Sequence, residues 1–227
     1  MALIKHAVIM AAGRGQRMMP LTEAMPKPMA PYNGSTLIAQ GIAEIKKKID
    51  SVHITVGYKK AMLAQHVIEH GAMSVFNTEG QSNSWWIYHT LLKDLNEAVV
   101  VLTCDNVVDI DVELLGEDYE RLGAPACMLV PVIPVPGLEG DYIFHRDGVV
   151  TELNRHKVSD IYCSGIQVIN PFKVNSLSED GGDFYSVWNQ LIVRQQLLVS
   201  SVYPNKWFAI DTLEHLVMLN RQRGSSS

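Results

Sequence analysis

Two arginines and a lysine, Arg14, Arg17 and Lys27, stand in and just beyond a stretch with almost no side chain, Ala11-Ala12-Gly13-Arg14-Gly15. Backbone N–H groups left bare by glycine, with guanidinium and ammonium groups beside them, suit an anion, and phosphate is the usual one. Two glycines would let main chain approach a triphosphate closely. Arg17 can grip phosphate oxygens bidentately, and Lys27, boxed between Pro26 and Pro28, adds a compact charge. A tight strand-to-helix turn carrying surface cations is the plainer alternative. Two common phosphate loops are excluded by spacing. A dinucleotide fingerprint needs glycine where Met18 stands, and the sequence G-x-x-x-x-G-K-[ST] is absent.

Two anions that must meet need charge neutralisation. Asp105 and Asp211 each follow an apolar run, which would place a carboxylate at a strand end, where open α/β sheets bind ligands. Mg²⁺ keeps several waters and takes one or two carboxylates plus phosphate oxygens, so such a pair fits it. Taken singly, each aspartate reads more readily as a cap or loop residue. Asp109 and Asp111 read as helix N-capping residues. His66, Glu69 and His70 spell H-x-x-E-H, whose histidines share a helix face and could bind zinc, with Glu69 as base. That pentapeptide ends at Gly71, a C-cap signal, so a zinc peptidase is the remote alternative.

Apolar patterning supplies the elements that must position these groups. The runs 6–10, 52–56 and 98–102 read as strands buried on both faces, separated by helical stretches at 37–49, 61–70 and 84–96. Strands are expected again at 126–132, 142–145, 149–153 and 163–169, with Asp147-Gly148 as a hairpin turn, and helices at 184–194 and 213–220. Strand–helix alternation followed by hairpins implies an α/β fold, a Rossmann-like doubly wound sheet that is mixed and mostly parallel. One domain over residues 1–222 is expected, with 223–227 as a tail outside the fold.

With 47% hydrophobic residues among 227, the chain can bury a sizeable core. No apolar run approaches the ~20 residues of a membrane span. A net charge of −5 argues against a nucleic-acid surface, and Lys46-Lys47-Lys48 reads as a solvated helix end. Cys104, Cys127 and Cys163 form no CxxC pair, which speaks against a disulfide framework and for a reducing, cytoplasmic setting.

The pattern A-A-G-x-G-x-R, followed ten residues after Arg17 by the lysine of Pro26-Lys27-Pro28, resembles the nucleotidylyltransferase family with a glycosyltransferase-A-like fold. Gly57-Tyr58, Asp105 after VVVLTC, Ser164-Gly165-Ile166 before Asn170-Pro171, and the segment Trp207–Thr212 extend the resemblance over most of the chain. It implies that the backbone of Ala11, Ala12, Gly13, Arg14 and Gly15 holds base and phosphates. Arg17 and Lys27 would stabilise the triphosphate, and Asp105 and Asp211 would bind Mg²⁺. The family's usual G-T pair and E-K-P segment are missing. Phe76-Asn77, Asn83 and Asp105-Asn106 instead resemble phosphocholine cytidylyltransferases of bacterial cell-surface pathways. That branch implies CTP and a phosphorylated alcohol, amine or amide; a sugar 1-phosphate with UTP, GTP or dTTP is the alternative. Asn77, Gln81, Asn83 and Cys104 are then candidates for nucleotide contacts. Trp85, Trp86, Asn106, Asn154, Ser164, Asp183 and Tyr185 are candidates for the acceptor, although two adjacent helical tryptophans read as well as core. No nucleic-acid or membrane partner is implied, and a homodimer stays open.

Overall fold

The computed structural model describes residues 3–135 and 140–224. The first half supplies β1 (His6–Ala11), a small hairpin of β2 (Pro31–Tyr32) and β3 (Ser35–Thr36), then β4 (Ser51–Val56), β5 (Ser74–Asn77), β6 (Val99–Thr103) and β7 (Asn106–Asp109). Its helices are α1 (Leu21–Ala24), α2 (Leu37–Lys46), α3 (Lys60–Glu69), α4 (Trp85–His89) and α5 (Val112–Arg121). The second half adds β8 (Cys127–Val132), β9 (Tyr142–Arg146), β10 (Val149–Asn154), β11 (Tyr162–Ile169), β12 (Leu197–Val199) and β13 (Lys206–Ala209). With them come α6 (Pro171–Leu177), α7 (Phe184–Val193) and α8 (Leu213–Gly224).

Nine strands form one mixed sheet in the order β5-β4-β1-β6-β11-β8-β12-β10-β9. β5, β4, β1 and β6 run parallel, as their continuous apolar sequences require, whereas β11 pairs antiparallel with both β6 and β8. One face buries Ile9, Ile54, Val100 and Leu102 against Ile38, Leu63 and Leu115 of α2, α3 and α5. The other buries Val8, Val99, Val101 and Leu129 against Trp86, Val174 and Leu191 of α4, α6 and α7. The expected hairpin is present, with Asp147 and Gly148 both at positive φ between β9 and β10.

Several expectations shift. The helix expected over 84–96 breaks: α4 stops at His89, and a 3-10 turn (Leu91–Asp94) follows. Thr90 makes the break, donating its hydroxyl proton to Trp86 O and accepting from Leu92 N, a local bond that competes with the helix ladder. The helix expected to reach residue 49 ends at Lys46. Asp111 caps α5 through Glu113 N and Leu114 N, but Asp109 closes strand β7 instead of capping that helix. The last helix runs to Gly224, so residues 223 and 224 belong to it, and 225–227 lie outside the described residues.

Candidate active site

The sheet changes direction of growth between β1 and β6: the chain leaves β1 towards β4 and β5, then returns to place β6 on the opposite side. Such a reversal opens a crevice beyond the carboxyl ends of the two strands, where ligands bind in open α/β sheets. The glycine-bearing loop leaves β1 there, and Asp105 leaves β6 there, its neighbour Cys104 still bonded through N–H to Met10 O at 3.0 Å.

Lys27 is the hub. It is buried in a 3-10 turn (Lys27–Met29), and its Nζ lies 2.7 Å from Asp105 Oδ2 and 3.6 Å from Asp211 Oδ1. Arg17 Nη2 reaches the same Asp211 oxygen at 2.8 Å from the solvent side. Four residues separated by up to 194 positions thus converge on two carboxylates and two cations. Gly15 makes room for the hub: it sits at φ +66°, and a Cβ there would lie 2.6 Å from Lys27 Cβ. The glycine is required by the lysine beneath it, whereas Gly13 faces open space.

Met18 holds the arrangement together. It is fully buried with Tyr32, Leu37, Ile210, Leu216 and Leu219. The loop that carries Arg17 and the segment that carries Asp211 are thereby anchored in one apolar cluster under α8. The same Met18 occupies the position that excludes a dinucleotide fingerprint. The sequence does not single it out, because Met19, Pro20 and Leu21 beside it are apolar too and Met19 is exposed.

Asp105 and Asp211 are also tied through the main chain. Ile210 N donates to Asp105 O at 2.9 Å, and β7 pairs antiparallel with β13, from Lys206↔Asp109 to Ala209↔Asn106. Asn106 Nδ2 and Trp207 Nε1 both donate to Ser164 O at 2.8 Å, which pins this two-stranded ribbon to β11. Ser164 Oγ itself donates to Val130 O. Asn106, Ser164 and Trp207 therefore brace the carboxylates.

The other expected contacts have partners elsewhere. Asn77 Oδ1 accepts from Glu79 N in a turn, and Gln81 is exposed beside it. Asn83 Oδ1 accepts from Phe184 N, and Asp183 caps α7 through Ser186 N. Tyr185 Oη donates to Leu153 O, and Asn154 Oδ1 accepts from His156 N and Lys157 N. Trp86 is fully buried in the core, while Trp85 is half-buried and stacks on His89 at 4.8 Å. Burial pushes the Cys104 thiol up, with the Asp105 charge beside it adding to the effect. Its side chain packs against the core cluster under α2. His66 Nε2 pairs with Thr36 Oγ1 at 2.8 Å, and Glu69 accepts from Gln65. Among the described residues no three His, Cys, Asp or Glu side chains are grouped to hold a metal, so the zinc-peptidase arrangement lacks a third ligand.

A sequence profile of nucleotidyl transferases matches residues 6–136, more than half of the chain, including the loop, Lys27 and Asp105. The chain belongs to the nucleotidyl transferase family. Within that family it is 42% identical over 60 residues to the bifunctional protein GlmU of Methanococcus aeolicus, a stretch covering 26% of this chain and 15% of that protein. The chain therefore spans a minor part of that relative. Two solved nucleotidyl transferase structures share the fold. UDP-glucose pyrophosphorylase complexed with UDP-glucose aligns with TM-score 0.77 and 15% identity over 99% of this chain and 100% of the other. CTP:phosphocholine cytidylyltransferase (LicC) of Streptococcus pneumoniae aligns with TM-score 0.75 and 22% identity over 97% and 99%. No helix among the described residues is long and apolar enough to cross a membrane.

Proposed function

We propose that this nucleotidyl transferase moves NMP from CTP to a phosphorylated alcohol, amine or amide and releases pyrophosphate. The observation that carries the catalytic part is the contact of one buried ammonium, Lys27 Nζ, with both Asp105 and Asp211 at the mouth of the glycine-bearing loop. An oxygen of the acceptor phosphate bonds to the α-phosphorus as the α–β bridging bond breaks, and that bond's electron pair leaves with pyrophosphate. The acceptor oxygen is already ionised, so the step requires no general base. Positioning and charge stabilisation suffice.

Roles follow from placement. Lys27 lies deepest and meets charge developing around the α-phosphorus. Arg17 is exposed and grips the outer phosphates bidentately. Two carboxylates from separate segments, close enough to share one ammonium, form a hard oxygen donor set that fits Mg²⁺. When bound there the ion would neutralise phosphate charge, held by Asp105 and Asp211.

The preference for CTP and a non-sugar acceptor rests on Phe76-Asn77, Asn83 and Asp105-Asn106. The fold is shared with a phosphocholine cytidylyltransferase and a UDP-glucose pyrophosphorylase alike, so the choice of nucleotide and acceptor falls to experiment. The test is pyrophosphate release with each of CTP, UTP, GTP, ATP and dTTP. Acceptors should be phosphocholine, aminoethylphosphonate, amide phosphates and sugar 1-phosphates, all with Mg²⁺. Release that needs CTP and a non-sugar acceptor is expected. Release with another nucleotide and a sugar 1-phosphate would move the chain to the other branch of the family, and no release with any pair would remove the catalytic reading.

A further inference from the structure

Tyr58 touches the glycine-bearing loop at two points and helix α1 at a third, and none of the roles above uses it. It lies between β4 and α3, on the turn that faces the start of the loop. Its backbone N–H donates to Ala12 O at 3.0 Å, at the loop's entrance. Its hydroxyl donates to Thr22 O at 2.9 Å, past the loop's far side. Its ring carries the Arg14 guanidinium at 5.3 Å from the centroid, with Lys59 Nζ at 5.6 Å. Thr22 is buried and passes the constraint inward, donating from Oγ1 to Gly15 O at 3.2 Å, the residue that covers Lys27. Gly57 allows the approach: a Cβ there would stand 2.6 Å from Ala12 O.

We infer that Tyr58 is a positioning residue that clasps residues 12–22 in the conformation able to receive the nucleotide triphosphate. The inference rests on the reading of this loop as the triphosphate site. The glycine-rich segment from Ala12 to Gly15 has many conformations in water, and most must be given up when phosphate binds. Three attachments to one side chain and its backbone give up most of them in advance, so the binding-competent state is the populated one. The ring also balances two cations, since Arg14 and Lys59 would otherwise repel across the loop mouth.

The experiment compares wild type, Tyr58→Phe and Tyr58→Leu in steady-state turnover, with the nucleotide and the acceptor varied separately. Thermal unfolding and hydrogen exchange over residues 11–27 are measured on the same samples. Tyr58→Phe loses one hydrogen bond and keeps the ring under Arg14. Its KM for the nucleotide should rise about two- to twelvefold, the range a single net hydrogen bond supports. Its kcat and its KM for the acceptor should stay within twofold, with faster exchange across the loop. Tyr58→Leu should raise the nucleotide KM further, and adding Arg14→Ala to it should cost less than Arg14→Ala costs in wild type. Equal nucleotide KM in wild type and Tyr58→Phe would overturn the clasp, as would a loss confined to kcat or to melting temperature. Absence of nucleotide binding and turnover in wild type would instead overturn the reading of the site.

Discussion

Lys27 and Arg17 face the same pair of carboxylates from opposite environments, and that difference separates their roles. Lys27 is buried between Asp105 and Asp211; Arg17 is exposed and meets Asp211 alone. Removal of a buried charge-stabilising donor typically costs about 10²–10³ in rate. Lys27→Met should therefore lose at least that much turnover while keeping the fold, measured as initial rates beside circular dichroism. It also leaves two carboxylates facing each other without their shared cation, a repulsion that a divalent ion relieves. Mg²⁺ should accordingly raise the melting temperature of Lys27→Met more than that of wild type, and an equal rise would separate the ion from these aspartates. Arg17→Ala should reduce turnover yet leave the melting temperature nearly unchanged, because an exposed ion pair contributes only about 0–1 kcal/mol. These residue types were legible in the sequence because charge beside bare backbone is a local signal. Met18 was not, because its burial is decided by Leu216 and Leu219, which reach it only through the fold.

At the scale of elements, the carboxylates depend on a ribbon that alternation alone did not reveal. β7 and β13 are four residues each and lie almost a hundred positions apart, and neither has a neighbour in the chain to pair with. α6 was not among the expected helices, although its start is local: Asn170 caps it through Lys173 N, and Pro171 occupies its first turn. The break at Thr90 was hidden because the apolar spacing continues through Leu91 and Leu92 into the 3-10 turn. The ribbon makes a prediction of its own. Trp207→Phe keeps an aromatic ring against Tyr162 but removes one of the two donors to Ser164 O. A loss of about 0.5–1.5 kcal/mol in unfolding free energy is expected in a denaturant titration. The Mg²⁺ concentration for half-maximal rate should rise, because Asp211 follows directly from this strand. Asn106→Ala removes the other donor, and the two losses should be less than additive if a single carbonyl links them.

Across the whole molecule, the parallel half of the sheet follows from continuous apolar strands, but the insertion of β11 between β6 and β8 is set by packing of the antiparallel half. The parallel half holds a histidine with nowhere to place a charge. His53 is buried in β4, between His6 at a ring distance of 5.5 Å and Phe76 at 6.2 Å, and its Nδ1 pairs with Ser74 Oγ at 2.7 Å. Burial, with the neighbouring His6 acting in the same direction, lowers its pKa to about 4. Burial lowers His66 as well, with His70 adding to it against the opposing Glu69. In the unfolded chain both histidines protonate near pH 6.5, so below that pH the unfolded state binds more protons than the native state. Stability is then complete above about pH 6.5, falls as the pH drops towards 4, and levels off for His53 below its native value. A depression of that size corresponds to about 3 kcal/mol for His53. Asp118 adds its own loss only at lower pH. Burial would raise its carboxyl, but bonds from Ser200, Arg121 and Ser201 outweigh that and hold it below the usual carboxylate range. Denaturant titrations at pH 7, 6, 5 and 4 on wild type and His53→Phe separate these contributions. The variant gives up the Ser74 bond and should start less stable at pH 7, yet it should lose distinctly less on acidification to pH 4. Parallel curves for the two proteins would mean that His53 accepts its proton in the native state, and the acid sensitivity would then belong to His66 or to the carboxylates.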